Sequence, residues 1–208
     1  MTRLLVLAAA ALIGAGCAGG DDKESAADGL HEFLVAVSEG DRSAAAERVS
    51  GSSNLTDVDV LERVPRGVEI PPADDYAVLR EGPVTVVATE LESEFGAYAA
   101  PVTSEEDKWK VAFASDELRI VEGPPAPRGG VGPDQRVGFA VYSDDPDVTA
   151  ALWIDGEKQQ LAGAGGPEFT RYWSTPELAP GTHTAVALAR ARGEEAAVGW
   201  TFTAGLPG

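Results

Sequence analysis

Ala26, Ala27, Leu30, Phe33, Leu34 and Val37 recur every three or four residues, the spacing of a helix with one buried face. Gly40 predicts the end of that helix, and Asp41 predicts the cap of a second one over Arg42 to Val49. Ser50 to Ser53 reads as a loop, and Thr56 as the cap of a third short helix carrying Val58, Leu61 and Val64. Pro65, Gly67, Pro71 and Pro72 then break the helical period. From there the pattern is that of strands. Tyr76 to Arg80, Val84 to Leu91, Ala97 to Thr103 and Lys108 to Ala114 are the segments predicted, with Leu118 to Glu122 continuing the same sheet. Glu81-Gly82-Pro83 and the charged stretch Ser104 to Asp107 supply turns between them. Helices followed by an antiparallel sheet give an α+β order.

Gly123 to Gln135 has no apolar period and contains four prolines and four glycines, which reads as a stiff linker. Beyond it the chain is predicted to be all-β: Arg136 to Tyr142, Thr149 to Asp155, Glu168 to Trp173, Thr182 to Arg190 and Ala196 to Thr203. Asp144-Asp145-Pro146, Asp155-Gly156, Ala179-Pro180-Gly181 and Arg192-Gly193 separate these strands. Short strands at this spacing argue for a β-sandwich. One feature departs from a simple sandwich. If Leu152 and Ile154 face the core, alternation sends Trp153 to the other side. Val186 and Leu188 oppose Ala185, Ala187 and Ala189 in the same way, so both faces are apolar where one is normally wet. Trp153, Val186 and Leu188 are therefore expected to form an interaction surface, covered by the first domain or by a partner.

The start of the chain has a different pattern. Arg3 precedes an apolar run from Leu4 to Ile13, and Gly14-Ala15-Gly16 leads into Cys17, the only cysteine. The run is too short to span a bilayer and reads as an export signal. Small residues followed by a lone cysteine resemble the lipobox of bacterial lipoproteins, although Gly14 stands where Leu is usual. The resemblance implies cleavage after residue 16, lipid on Cys17, a short tether over residues 17–25, and a lipid-anchored position on the extracytoplasmic face of the cell membrane.

Two further resemblances concern the folded part. Asp28 to Gly51, with Glu39-Gly40-Asp41 between two helices, and Lys108-Trp109-Lys110-Val111 after a charged hairpin resemble the nuclear transport factor two-like, or SnoaL-like, family. For residues 26–122 this implies a cone, with helices backing a curved antiparallel sheet that can enclose a pocket. Leu178 to His183 before an apolar strand, and Trp200-Thr201-Phe202 at the end, look like bacterial immunoglobulin-like domains. For residues 136–208, after a linker at 123–135, this implies an all-β immunoglobulin-like sandwich, with a corner hydrogen bond from His183.

Composition narrows the function. Hydrophobic residues make up 44% of the 208, enough for real cores. The net charge is −18, and Asp21 to Glu122 alone carries 24 acidic against 9 basic residues. Such a chain is repelled by nucleic acid and by anionic lipid headgroups. Two histidines, His31 and His183, and one cysteine do not make a zinc site. Asp144, Asp145 and Asp147 are spoiled as a calcium loop by Pro146. Gly163 to Gly166 lacks the lysine and helix of a phosphate cradle and reads as a loop. His31 is the one candidate acid–base group in the cone, without a visible partner. Trp153, Tyr172 and Trp173 could stack on a sugar if exposed. No catalytic residue, metal or cofactor is assigned. The expectation is a membrane-tethered, non-catalytic binding module whose partner is an envelope protein or a cell-wall component; the alternative is a small-molecule or enzymatic role in the cone pocket.

Overall fold

The computed structural model of the chain describes residues 25–51, 64–115, 117–131, 136–166 and 168–205. The signal-like stretch, Cys17 and most of the third expected helix lie outside these residues. Among them the chain forms helices α1 (Ala26–Glu39) and α2 (Arg42–Glu47) and twelve strands. The first four are β1 (Ala77–Glu81), β2 (Val84–Glu90), β3 (Ala97–Glu105) and β4 (Lys108–Val111). Then come β5 (Leu118–Glu122), β6 (Val137–Ser143), β7 (Thr149–Ile154) and β8 (Glu157–Lys158). The last four are β9 (Ala162–Gly166), β10 (Phe169–Ser174), β11 (Gly181–Ala191) and β12 (Glu194–Ala204).

Local sequence explains the helix ends. Ser25 and Asp28 form a reciprocal capping box at the start of α1, and Gly40 closes it in the left-handed region at φ 77°. Asp41 accepts the backbone N–H groups of Ser43 and Ala44 and so caps α2. Three hairpins turn on residue pairs with positive φ: Glu106-Asp107, Asp155-Gly156 and Arg192-Gly193. That geometry matches the twist of the strands each pair joins.

The strands make three antiparallel sheets, ordered β1-β2-β3-β4, β12-β11-β7-β8 and β5-β6-β10-β9. The second and third pack face to face around Leu118, Ile120, Val137, Phe139, Leu152, Ile154, Trp200 and Phe202. Counting from β5, the strands of the third sheet come first, second, sixth and fifth, and those of the second come eighth, seventh, third and fourth. This is the immunoglobulin-like arrangement, with one extra edge strand.

The cone is not found, and that expectation is corrected. A cone needs helices inside a curled sheet and a hollow between them. Here α1 lies on one face of the first sheet, burying Leu30, Phe33, Leu34 and Val37 with Val87, Ala100, Val102 and Val111. The other face is closed by a second sheet: Leu79, Val84, Val86, Ala88 and Ala99 pack on Ala151, Trp153, Val186 and Leu188. Six consecutive residues of β2, Val84 to Thr89, are buried, as both faces are covered. The molecule is therefore stacked in four layers: helix, first sheet, second sheet, third sheet.

Two segments sit elsewhere than the sequence suggested. Leu118–Glu122 leaves the first sheet and pairs with β6 from Leu118↔Ser143 to Glu122↔Phe139. The expected linker begins paired with β6, through Gly123 and Pro124 to Gly138, and its residues 128–131 are laid along the free edge of β12. Val131 N–H donates to Thr203 O at 2.9 Å, Thr203 N–H to Gly129 O at 2.8 Å and Arg128 N–H to Thr201 O at 2.6 Å. Proline and glycine serve here to carry one edge strand across from the third sheet to the second.

Close approach explains one glycine against its local preference. A Cβ on Gly29, inside α1, would lie 2.5 Å from Trp109 Cβ and 2.7 Å from Trp109 O. Helix propensity alone makes Gly→Ala stabilising by about 1 kcal/mol. We expect Gly29→Ala instead to destabilise by roughly 1–3 kcal/mol, since α1 must lift off β4. Urea denaturation gives the sign, and a raised midpoint would contradict the contact.

Candidate functional site

Of the layer faces, the outer side of the third sheet is covered by nothing among the described residues. Alternation decides what it carries. Leu118, Ile120, Val137, Phe139 and Val141 point to the core, with the Tyr172 ring stacked on Phe139 at 5.5 Å. Arg119, Val121, Tyr142, Phe169, Arg171 and Trp173 are therefore turned outward. Strand register brings them together: Tyr142 is opposite both Arg119 and Phe169, Arg171 is opposite Ala140, and Trp173 is opposite Gly138.

An exposed antiparallel face is ordinarily polar. This one is aromatic and cationic. The Tyr142 and Phe169 rings lie 4.8 Å apart. A guanidinium sits over each ring: Arg119 over Tyr142 at 5.9 Å, Arg136 over Trp173 at 5.5 Å and Arg171 over Phe169 at 5.1 Å. Between the rings the floor is made of small residues, Gly138, Ala140 and Ala164, giving an open trough of about 790 Å³. Val121 and Tyr142, at 48% and 41% exposure, are two of the three exposed large hydrophobic residues among those described. Arg119 and Arg171 have no carboxylate partner among the described residues, in a chain of net charge −18.

The residues singled out from sequence divide differently. Trp153, Val186 and Leu188 do lie together, at 3%, 4% and 1% exposure, but against the first sheet of the same chain. No open surface remains there for a partner. Of the three aromatics considered for stacking, Trp153 is sealed in that seam, Tyr172 faces the core, and Trp173 alone reaches the outer face. Gly163 to Gly166, expected as a loop, belongs to the edge strand β9. Asp144 and Asp145 face Arg192 at 2.9 and 3.9 Å, and Asp145 accepts the Asp147 N–H, which makes an ordinary turn.

His31 ties the chain after α1 to the helix: its Nδ1 is 2.9 Å from Pro71 O and 3.2 Å from the Tyr76 hydroxyl. Burial pushes the Tyr76 hydroxyl's pKa upward, so it stays protonated. Without a cone there is no cone pocket among the described residues, and His31 does not line two further grooves beside β5 and β12. These measure about 590 and 680 Å³, and neither is lined by a histidine, cysteine or lysine. No described helix is long and apolar enough to cross a membrane.

His183 makes the corner. Its Nε2 is 2.8 Å from Ala179 O and its Nδ1 2.6 Å from Asp155 Oδ2, while Asp155 Oδ1 accepts the Thr184 N–H. Both ring partners are acceptors, so both nitrogens donate, which is the protonated ring. Burial alone would lower the pKa of His183, but the bonds to Asp155 and Ala179 and the Asp155 charge together raise it. A raised folded pKa stabilises the fold fully below the free value of about 6.5 and is lost as pH rises through the folded value. In urea titrations, His183→Gln is expected to remove that alkaline loss. A wild-type midpoint that rises across the same window would contradict it.

No family model matches the chain, and no curated protein matches it. Among solved structures it overlays on titin M4 with 17% identity and a TM-score of 0.32, over 44% of this chain and 100% of that one. An engineered protein overlays with 20% identity and a TM-score of 0.33, over 47% of this chain and 22% of that one. A titin immunoglobulin tandem gives 9% identity and a TM-score of 0.30, over 66% of this chain and 76% of that one. The immunoglobulin-like assignment rests on strand order rather than on these overlays.

Proposed function

We propose that the protein is a lipid-anchored, extracytoplasmic binding module without catalytic activity, and that it binds through the outer face of β5-β6-β10-β9. The observation that carries this reading is the row of three guanidinium-capped aromatics on an uncovered sheet face. Tyr, Trp, Phe and Arg are the side chains most enriched at protein interfaces and at their energetic centres. The lipobox-like Gly14 to Cys17 supports the anchored location. A diacylglyceryl group on Cys17 would supply the two chains that stable anchoring takes.

The test has two arms. Cys17→Ala is expected to move the protein out of the membrane fraction, and intact mass is expected to show lipid on the wild-type chain. An unmodified Cys17 overturns the anchor. In the second arm, a photo-crosslinking residue replaces Ala164 on the outer face or, as a control, Val78, which is 46% exposed on β1. A discrete adduct from position 164 alone is expected in the native cells. No adduct at 164, or the same adduct from both positions, overturns the binding surface.

A further inference from the structure

We infer that the occupant of this face is an acidic, extended segment of a partner protein, which adds as a strand to the free edge of β9. The inference rests on the binding surface proposed above and names its ligand class. Charge complementarity comes first: Arg119, Arg136 and Arg171 gather on one face of a chain with net charge −18, and Arg119 and Arg171 have no carboxylate of their own among the described residues. Guanidinium groups in such positions are geometrically suited to carboxylates.

The shape of the trough selects a strand. Each aromatic ring already has a guanidinium over it, so the flat faces that would stack on sugar rings are partly taken. What remains open is a flat floor of Gly138, Ala140 and Ala164 that runs out to β9. β9 reads Ala-Gly-Ala-Gly-Gly, all exposed, and is terminal in its sheet. Natural edge strands are ordinarily blunted by charge, proline or a cover. Two other edges are blunted here: β12 by Phe95 and residues 128–131, and the second sheet's far edge by the shortness of β8. An added strand gains backbone hydrogen bonds from β9, and every second side chain falls on the outer face. Acidic side chains at those positions come within reach of Arg171, whose cross-strand neighbour on β9 is Ala164.

The probe is a labelled peptide of alternating Glu and Thr, long enough to run the length of β9, titrated against the full chain at low salt. Saturable binding is expected, weakening as salt rises. Arg171→Glu is expected to weaken it about tenfold, and Arg171→Gln by less. Arg80→Glu on β1 should leave it unchanged. Amide exchange should slow over Ala162–Gly166 in the complex. Absence of binding overturns the inference, as does equal binding of an alternating Lys-Thr peptide or binding without protection of β9. Tighter binding of a polyuronate at matched charge would make the ligand a glycan. Self-association abolished by Arg171→Glu would make it a second copy of this chain. In either case an adduct at position 164 would still stand for the binding surface while the acidic strand falls.

Discussion

Leu188→Asp is expected to strip the first sheet from the sandwich and leave the sandwich folded. Leu188 is 1% exposed and lies among Leu79, Val84, Val86 and Trp153, and Arg190, two residues along the same face of β11, is already paired with Glu195. An uncompensated charge in such a place costs roughly 3–5 kcal/mol. The chain escapes that cost by opening the seam to water. The sandwich keeps its own core, which includes Ala185, Ala187 and Ala189 on the opposite side of the same strand. The first sheet keeps only α1 on its remaining face, so it is the part that comes apart. Amide exchange should become fast over β1, β2 and β3 and stay slow over β6 and β10. Loss of protection in all of them together would show that seam and sandwich form one cooperative unit.

Trp200→Ala should be the most damaging truncation inside the sandwich. Trp200 is fully buried, is the largest side chain to be so among the described residues, and sits opposite Ala185 on β11. Removing it leaves a cavity that flanking backbone cannot fill, at a cost of roughly 3–5 kcal/mol. For a chain of this size the melting temperature should fall by about 10 °C. Its indole N–H has no acceptor among the described residues. Trp200→Phe therefore loses volume but no hydrogen bond, and roughly 1–2 kcal/mol is expected. A Phe variant as unstable as the Ala variant would mean that the N–H is paired after all.

The site itself was only partly visible in the sequence. Trp173 was among the candidate aromatics, but Arg119, Arg136, Tyr142, Phe169 and Arg171 were not. They come from four places in the chain, and only strand register makes them neighbours. A signal did exist: three aromatics and three arginines in strands whose partners were otherwise apolar and small. Nothing in one sequence says which of those positions share a face.

What the sequence determined is local. The period of α1, its glycine stop, the hairpin pairs and the parity that separates Trp153 from Leu152 and Ile154 all depend on neighbours within a few residues. Backbone sterics and side-chain alternation act at that range and leave a readable pattern. The tertiary structure decided the rest. A helix followed by antiparallel strands suits a cone as well as a flat layer, and the choice turned on what covers the second face of β2. That cover comes from β7, β11 and β12, more than sixty residues later, because two half-apolar sheets bury more surface together than either does alone. The same pairing left the third sheet as the outermost layer, which is why its aromatic and arginine residues face water.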